Sequence, residues 1–333
     1  MPAAIGATLH PGPARVFMLG ATGTIGQATL RTLLAQGHEV VSFQRPGGRP
    51  DEPEAHPLLT RRTGNVEDAD SVWRDGFRGE RFDAVISCLA SRTGLPADAW
   101  AIDHQAHLNV LQHCAAAGVR QFVLLSALCV QKPRLAFQHA KLAFEQALVD
   151  SGLSHSIVRP TAFFKSLSGQ VGRVRNGRPF MVLGDGRLTA CKPISDADLA
   201  DFLVGCLGHP QRQNRILPIG GPGPAISPAM QADLLAQALG RPVRLRHVPA
   251  GMLRGIARTL GVLGRWSASW QAKAELAQIG LYYATESMLV WDPVSGRYDA
   301  DATPEWGQET LLSHYQKLIA TGAGANLREH AVF

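Results

Sequence analysis

Arg15-Val16-Phe17-Met18-Leu19 followed by Gly20-Ala21-Thr22-Gly23-Thr24-Ile25-Gly26 decides the fold. A short apolar run that stops at glycine predicts a buried strand. Residues Gln27–Gln36 then carry apolar side chains at helical spacing and stop at Gly37, a natural C-cap. A glycine triad between a strand and a helix is the context in which such a triad carries meaning. The first glycine allows the sharp turn, the second lets backbone approach a pyrophosphate, and the third lets helix and strand pack closely. The helix N-terminus adds N–H groups that suit an anion. Gly20, Thr22, Gly23, Thr24, Ile25 and Gly26 are therefore the expected dinucleotide phosphate site.

The second strand, His38–Gln44, bears on which dinucleotide binds. An acidic residue at its end would receive a ribose 2′-hydroxyl, but here Arg45 follows Gln44. A guanidinium suits a 2′-phosphate, so the sequence predicts NADP(H). Arg49, Arg61 and Arg62 are candidate reinforcements. Asn65 and Val66, near the end of a third strand, are expected beside the adenine.

Further strands are predicted at Phe82–Cys88, Gln121–Ser126 and Ser156–Val158, with helices at Asp98–Ala117 and Gln138–Asp150. Alternating strands and helices demand crossover connections and a mainly parallel sheet. The fold class is α/β, a Rossmann-type doubly wound parallel sheet with a smaller α+β substrate lobe. The expected division is a tail over 1–13, a nucleotide domain over 14–160, and a lobe over 161–333 with strands free to return to the first domain. In the lobe, helices are expected at Ser227–Leu239, Ala250–Gly264, Ala268–Tyr283 and Pro304–Ala320, and strands at Arg215–Ile219 and Val243–His247.

Composition narrows the function. The 333 residues are 45% apolar, and 33 basic against 27 acidic side chains leave +6, a balance that suits anionic ligands. The positive charge is dispersed with no aromatic-basic motif, so nucleic acid is not an expected partner. Five cysteines, an odd number without a CxxC pair, argue against a disulfide frame or a zinc site. With no secretory start and no apolar run of about 20 residues, the expected setting is cytoplasmic. His104 and His107 share a helix without a third ligand, and they read as part of a surface helix. Leu253, Ile256, Leu260 and Leu263 oppose Arg254, Arg258 and Arg265, with Trp266 following. This pattern is expected either to pack on the lobe or to touch an anionic membrane peripherally.

The chain resembles the short-chain dehydrogenase/reductase superfamily in its extended or atypical branch. Gly20–Gly26 has that branch's GxxGxxG form, Cys88-Leu89-Ala90 follows the fourth strand where the superfamily lines its cofactor, and Ser126 ends the fifth. The resemblance implies that a YxxxK motif comes next, yet the chain reads Phe137-Gln138-His139-Ala140-Lys141. Lysine is kept, to hold the nicotinamide ribose. The tyrosine that handles a carbonyl or hydroxyl proton is gone, and phenylalanine has no ionisable group to replace it.

Arg159–Lys165, Cys191–Ser195, Thr285–Pro293 and Tyr298–Pro304 carry the resemblance further, to the divinyl chlorophyllide a 8-vinyl-reductase family, from about Arg15 to Phe333. That resemblance implies reduction of the C8 vinyl group of a magnesium chlorin or porphyrin to ethyl with NADPH. Hydride at the terminal vinyl carbon would leave charge that the macrocycle delocalises, so no oxyanion would need a tyrosine. Pro160 and Phe163 are then expected at the cofactor. Phe164 would stack on the tetrapyrrole and Lys165 would meet its propionate, with Arg173, Arg175 and Lys192 as alternatives. Tyr282, Tyr283, Lys165 and solvent are the candidate proton donors. The competing expectation is an NADP(H)-binding regulator or assembly factor of the same fold without catalysis.

Overall fold

The computed structural model describes residues 9, 12–47, 55–263 and 267–322. Most of the expected tail, Arg49, Arg265 and Trp266 lie outside the described residues. The chain divides into two compact units, Met1–Arg159 with Asp196–Leu217, and Pro160–Ser195 with Pro218–Phe333.

The first unit is built on a seven-stranded sheet. Its strands are β1 (Arg15–Leu19), β2 (Glu39–Gln44), β3 (Leu59–Thr63), β4 (Ala84–Ser87), β5 (Gln121–Leu125) and β6 (Ser154–Pro160), and the far edge is Arg215–Ile219. The spatial order is β3-β2-β1-β4-β5-β6 and then that edge strand. Pairings from β3 through β6 are all parallel. This is a doubly wound order, and the strand sequence reverses direction between β1 and β4.

The central strands β1, β4 and β5 are largely apolar and buried because both faces are covered, whereas the edge strand β3 is half-exposed. On one face Phe17 stacks on Phe77 at 4.2 Å, with Phe82 edge-on at 5.3 Å from Phe17, and the cluster continues through Phe122 and Phe144. On the other face the first helix, Thr24–Ala35, packs with Asp196–Val204. That second helix comes from the returning segment.

Three expectations about the first unit need correcting here. Asp98–Ala117 is not one regular helix. It runs as Pro96–Ala99, a π-helical turn at Trp100–Gln105, and Ala106–Cys114, a change of register that periodicity cannot show. His107 is not on a surface helix but 1% exposed. Arg62 is not a phosphate ligand. It is buried, donating to the Gly76 carbonyl at 2.6 Å and to Glu80 at 2.7 Å, and so ties the β3 edge to the turn after Phe77.

Glu145, on the helix Ala136–Asp150, is buried and accepts hydrogen bonds from Arg159 and from the Ser126 hydroxyl. The carboxylate joins the ends of β5 and β6 to the helix behind them.

The second unit has its own core of Phe164, Val171, Phe180, Ile226, Leu235 and Tyr315, among others. The Tyr315 hydroxyl donates to the Leu167 carbonyl at 2.9 Å, which satisfies the one polar atom of a fully buried ring. Two strands, Phe180–Leu183 and Leu245–Val248, pair in parallel, and Val290–Asp292 forms a hairpin with Arg297–Asp299. The last helix starts at Leu311, not at Pro304. Thr310 caps it, and the residues before it run as backbone, with Glu305 bridging to Gly220.

Replacing Glu145 by Gln should destabilise the protein by about 3 kcal/mol, because it strands the Arg159 guanidinium in a largely buried position. Urea unfolding should show the loss, and it should be much smaller in a paired Glu145→Gln/Arg159→Met variant.

Candidate functional site

The crevice outside the carboxyl ends of β1 and β4 is where a doubly wound sheet binds its ligand. Its walls are shaped by close backbone approach. Gly20 has φ +73°, and a Cβ there would sit 2.5 Å from the Cys88 carbonyl carbon. A Cβ on Gly26 would sit 1.9 Å from the Gly20 oxygen. Gly23 differs, since a Cβ there would meet only the Gly20 oxygen at 3.6 Å. Gly23 is the N-cap of the first helix and offers no side chain to its N–H groups. Two glycines are thus demanded by packing, and the third leaves room and no side-chain cap at the helix end. That arrangement fits a pyrophosphate.

Beside this turn β2 ends at Gln44, and Arg45 follows it, exposed. Sequence reasoning passed over Gln44. Its Oε1 is buried with no hydrogen-bond partner, at the position where a doubly wound fold receives the ribose. Asn65 is exposed and folds back on its own loop. Its N–H donates to Ser71 Oγ at 2.9 Å, and its Oδ1 accepts from the Glu67 N–H at 3.0 Å. Val66 is buried, and its carbonyl accepts from Asn109 at 3.1 Å.

The loop after β4 is held at both ends. His107 Nδ1 lies 2.9 Å from the Ile102 carbonyl, so that nitrogen carries the proton. Nε2 therefore accepts from the Ser87 hydroxyl at 2.8 Å, and Ser87 Oγ accepts from the Leu89 N–H at 3.3 Å. Burial, and after it the charge of Lys141, push the His107 pKa down to about 4 and keep the ring neutral. At the other end Ser91 donates its N–H and its hydroxyl to Asp103, at 3.2 and 2.6 Å. Asp103 also accepts from Lys141 Nζ at 2.9 Å. Between these anchors Cys88 turns its thiol inward, 3.6 Å from Thr29 Oγ1. Burial raises its pKa to about 12, so it is no nucleophile. Leu89 is half-buried and Ala90 exposed.

Ser126 is buried, with its hydroxyl given to Glu145. Phe137, at the position of the absent tyrosine, is 8% exposed. Gln138 beside it caps its helix, accepting from the Arg134 and Leu135 N–H groups at 2.7 and 3.0 Å.

In the second unit Pro160 is buried and Phe163 half-buried, in a bridge with Ile194. Phe164 is 2% exposed within the core and packs on His314, so the expected stacking role is corrected: its ring has no free face. Lys165 is half-buried on the short helix Phe164–Leu167. Lys192 is buried and donates to Glu305 at 2.6 Å and to the Thr303 carbonyl at 3.3 Å, an internal role. Tyr282 is 4% exposed and meets the half-buried Tyr283 edge-on at 5.7 Å. Among the described residues no His/Cys/Asp/Glu group could hold a metal, and no helix is long and apolar enough to cross a membrane.

Residues 20–210 match a family of NAD(P)H-binding domains. The chain is 44% identical to the chloroplastic divinyl chlorophyllide a 8-vinyl-reductase of Oryza sativa subsp. indica, over 98% of this chain and 84% of that one. It is 41% identical to the protein of the same name from Arabidopsis thaliana, over 96% and 80%. Among solved structures it resembles the Bordetella bronchiseptica enzyme WbmG in complex with NAD, with a TM-score of 0.69, 16% identity, and coverage of 94% of this chain and 96% of that one. At that identity the likeness shows the fold alone. Both plant relatives are named chloroplastic, which overturns the expected cytoplasmic setting.

The glycine turn makes a separable prediction. Gly26→Ala should cost about 3–5 kcal/mol of stability, since its methyl meets backbone that cannot yield. Gly23→Ala should leave the thermal midpoint nearly unchanged and weaken dinucleotide binding, measured by fluorescence titration. His107 makes another. Below pH 6.5 the unfolded chain takes up a proton that the folded ring refuses until about pH 4. Stability contributed by His107 is therefore full above pH 6.5 and is lost as pH falls towards 4, by on the order of 3 kcal/mol. The fall in unfolding free energy between pH 7 and 4.5 should be smaller in His107→Gln.

Proposed function

The chain belongs to the divinyl chlorophyllide a 8-vinyl-reductase family and carries an NAD(P)H-binding domain, and from that premise we propose that it reduces the C8 vinyl group of divinyl chlorophyllide a, or of divinyl protochlorophyllide a, to ethyl with NADPH. The proposed setting of the reaction is chlorophyll or bacteriochlorophyll synthesis. The observation that carries the reading is a nucleotide crevice complete in its glycine turn and its lysine, with Phe137 where a carbonyl reductase would need a phenol.

When bound, NADPH supplies the hydride equivalent. The chain's own residues do the remaining work. Gly20 and Gly26 hold the turn that receives the pyrophosphate, and the helix end at Gly23 faces it with N–H groups. Arg45, exposed immediately after β2, is proposed to pair with a 2′-phosphate, and Gln44, being neutral, leaves that phosphate unopposed by a carboxylate. Lys141 keeps two N–H donors beyond the one given to Asp103, and these are proposed to hold the nicotinamide ribose.

Ser126 and Phe137 offer no proton to a developing oxyanion, one by its bond to Glu145 and the other by its chemistry. A vinyl group conjugated to a tetrapyrrole needs none, because charge left after hydride addition spreads over the ring. Of the two candidate phenols the half-buried Tyr283, rather than Tyr282, is proposed to give the proton that completes the ethyl group and to regain it from solvent. Lys165 is proposed to meet the propionate.

Incubation with NADPH and divinyl chlorophyllide a should give a product heavier by two hydrogens. Arg45→Ala should weaken NADPH binding roughly 10-fold while leaving NADH binding unchanged. Equal effects on both nucleotides would remove Arg45 from the reading of the 2′-phosphate.

A further inference from the structure

The π-helical turn at Trp100–Gln105 carries a fully buried carboxylate that the proposed reaction does not use. Asp103 has three donors: Lys141 Nζ at 2.9 Å and the Ser91 N–H at 3.2 Å on Oδ1, and the Ser91 hydroxyl at 2.6 Å on Oδ2. Its side chain is 0% exposed, and that of Lys141 is 12% exposed. The cation thus reaches the surface with the anion directly behind it. A buried ion pair adds little net stability, so stability alone gives no reason for placing a charge at Asp103. A π-helical turn inside a helix is uncommon and marks functional sites more often than regular helix does.

The two partners of Asp103 come from different elements, both near the crevice. Ser91 ends the loop Cys88–Ser91, whose first residues are the backbone against which Gly20 packs. Lys141 lies on the helix Ala136–Asp150. One carboxylate therefore fixes a cation and a loop relative to the glycine turn. We infer that Asp103 is a positioning residue for nucleotide binding: it orients the Lys141 ammonium and pins the β4 loop, so that the crevice meets the nicotinamide half of the dinucleotide with its donors already placed.

This inference rests on the NADPH reading above, and the test separates the two. NADPH binding is measured by fluorescence titration for wild type, Asp103→Asn, Lys141→Met and the double variant, with thermal midpoints alongside. Asparagine keeps the shape and one acceptor oxygen but loses the charge and the second acceptor. Asp103→Asn should weaken NADPH binding about 10-fold in the Lys141 background and less than about 2-fold in the Lys141→Met background, the signature of one residue acting through another. In turnover the KM for NADPH should rise with kcat nearly unchanged. A lowered thermal midpoint with unchanged NADPH affinity would overturn the inference, as would an equal loss of affinity in both backgrounds. Asp103→Ser, smaller and neutral, carries the same cycle should the amide fail to fold. Wild type that does not bind NADPH would instead sink the NADPH reading itself.

Discussion

The backbone at Gly20 approaches the backbone of Cys88 and Leu89 so closely that no side chain fits between them, and Gly26 approaches Gly20 just as closely. These two contacts set β1 beside β4 and bring the first helix down onto the turn. The crevice at the reversal of strand order is a consequence of them. Every group assigned to nucleotide binding is placed with reference to that point. Gln44 and Arg45 lie on one side, and the loop from Cys88 to Ser91, anchored through His107 and Asp103, lies on the other.

The β1–helix–β2 unit was legible because its signals are local. An apolar run, glycines that demand a turn, and a helix with a glycine stop all occur within about thirty residues. β4 and β5 were legible for the same reason, being largely apolar strands buried on both faces, whereas in β6 only the stretch around Ile157 and Val158 gave a signal among polar neighbours. Arg62 was misread because an arginine beside Arg61 on a short, half-exposed strand looks solvated, and its partners, Gly76, Phe77 and Glu80, come from a turn that sequence does not fold back. Asp103 was invisible for a related reason. A single acid in a helical stretch reads as surface, and a π-helical turn leaves no mark in periodicity. In the lobe, Pro304 suggested a helix start, but Thr310 supplies the cap, and the residues between are taken up by bridging to Gly220.

The missing tyrosine gains meaning from what surrounds it. The neighbouring polar positions have not drifted into apolar packing. Ser126 and Lys141 are both present, and each is bonded to a buried carboxylate, Glu145 and Asp103. Those carboxylates hold the serine and the lysine in defined orientations. The pattern fits a site that has kept its means of holding a nucleotide while losing its means of protonating an oxygen.

The return of Asp196–Leu217 to the first unit bears on how the protein is made. Gln121, at the start of the interior strand β5, donates to the Cys206 carbonyl and accepts from the Gly208 N–H, and Ser156 donates to the Arg212 carbonyl. The first helix packs against Asp196–Val204. As the chain leaves the ribosome, the nucleotide unit cannot close when Arg159 emerges. It must wait for about sixty more residues, with one face of its sheet only partly covered and with Gln121 and Ser156 lacking their partners at Cys206, Gly208 and Arg212. A fragment cut after Arg159 would carry the whole glycine turn and still be an open, aggregation-prone sheet. Each unit is compact in itself, yet the two are interleaved in the order in which the chain is made.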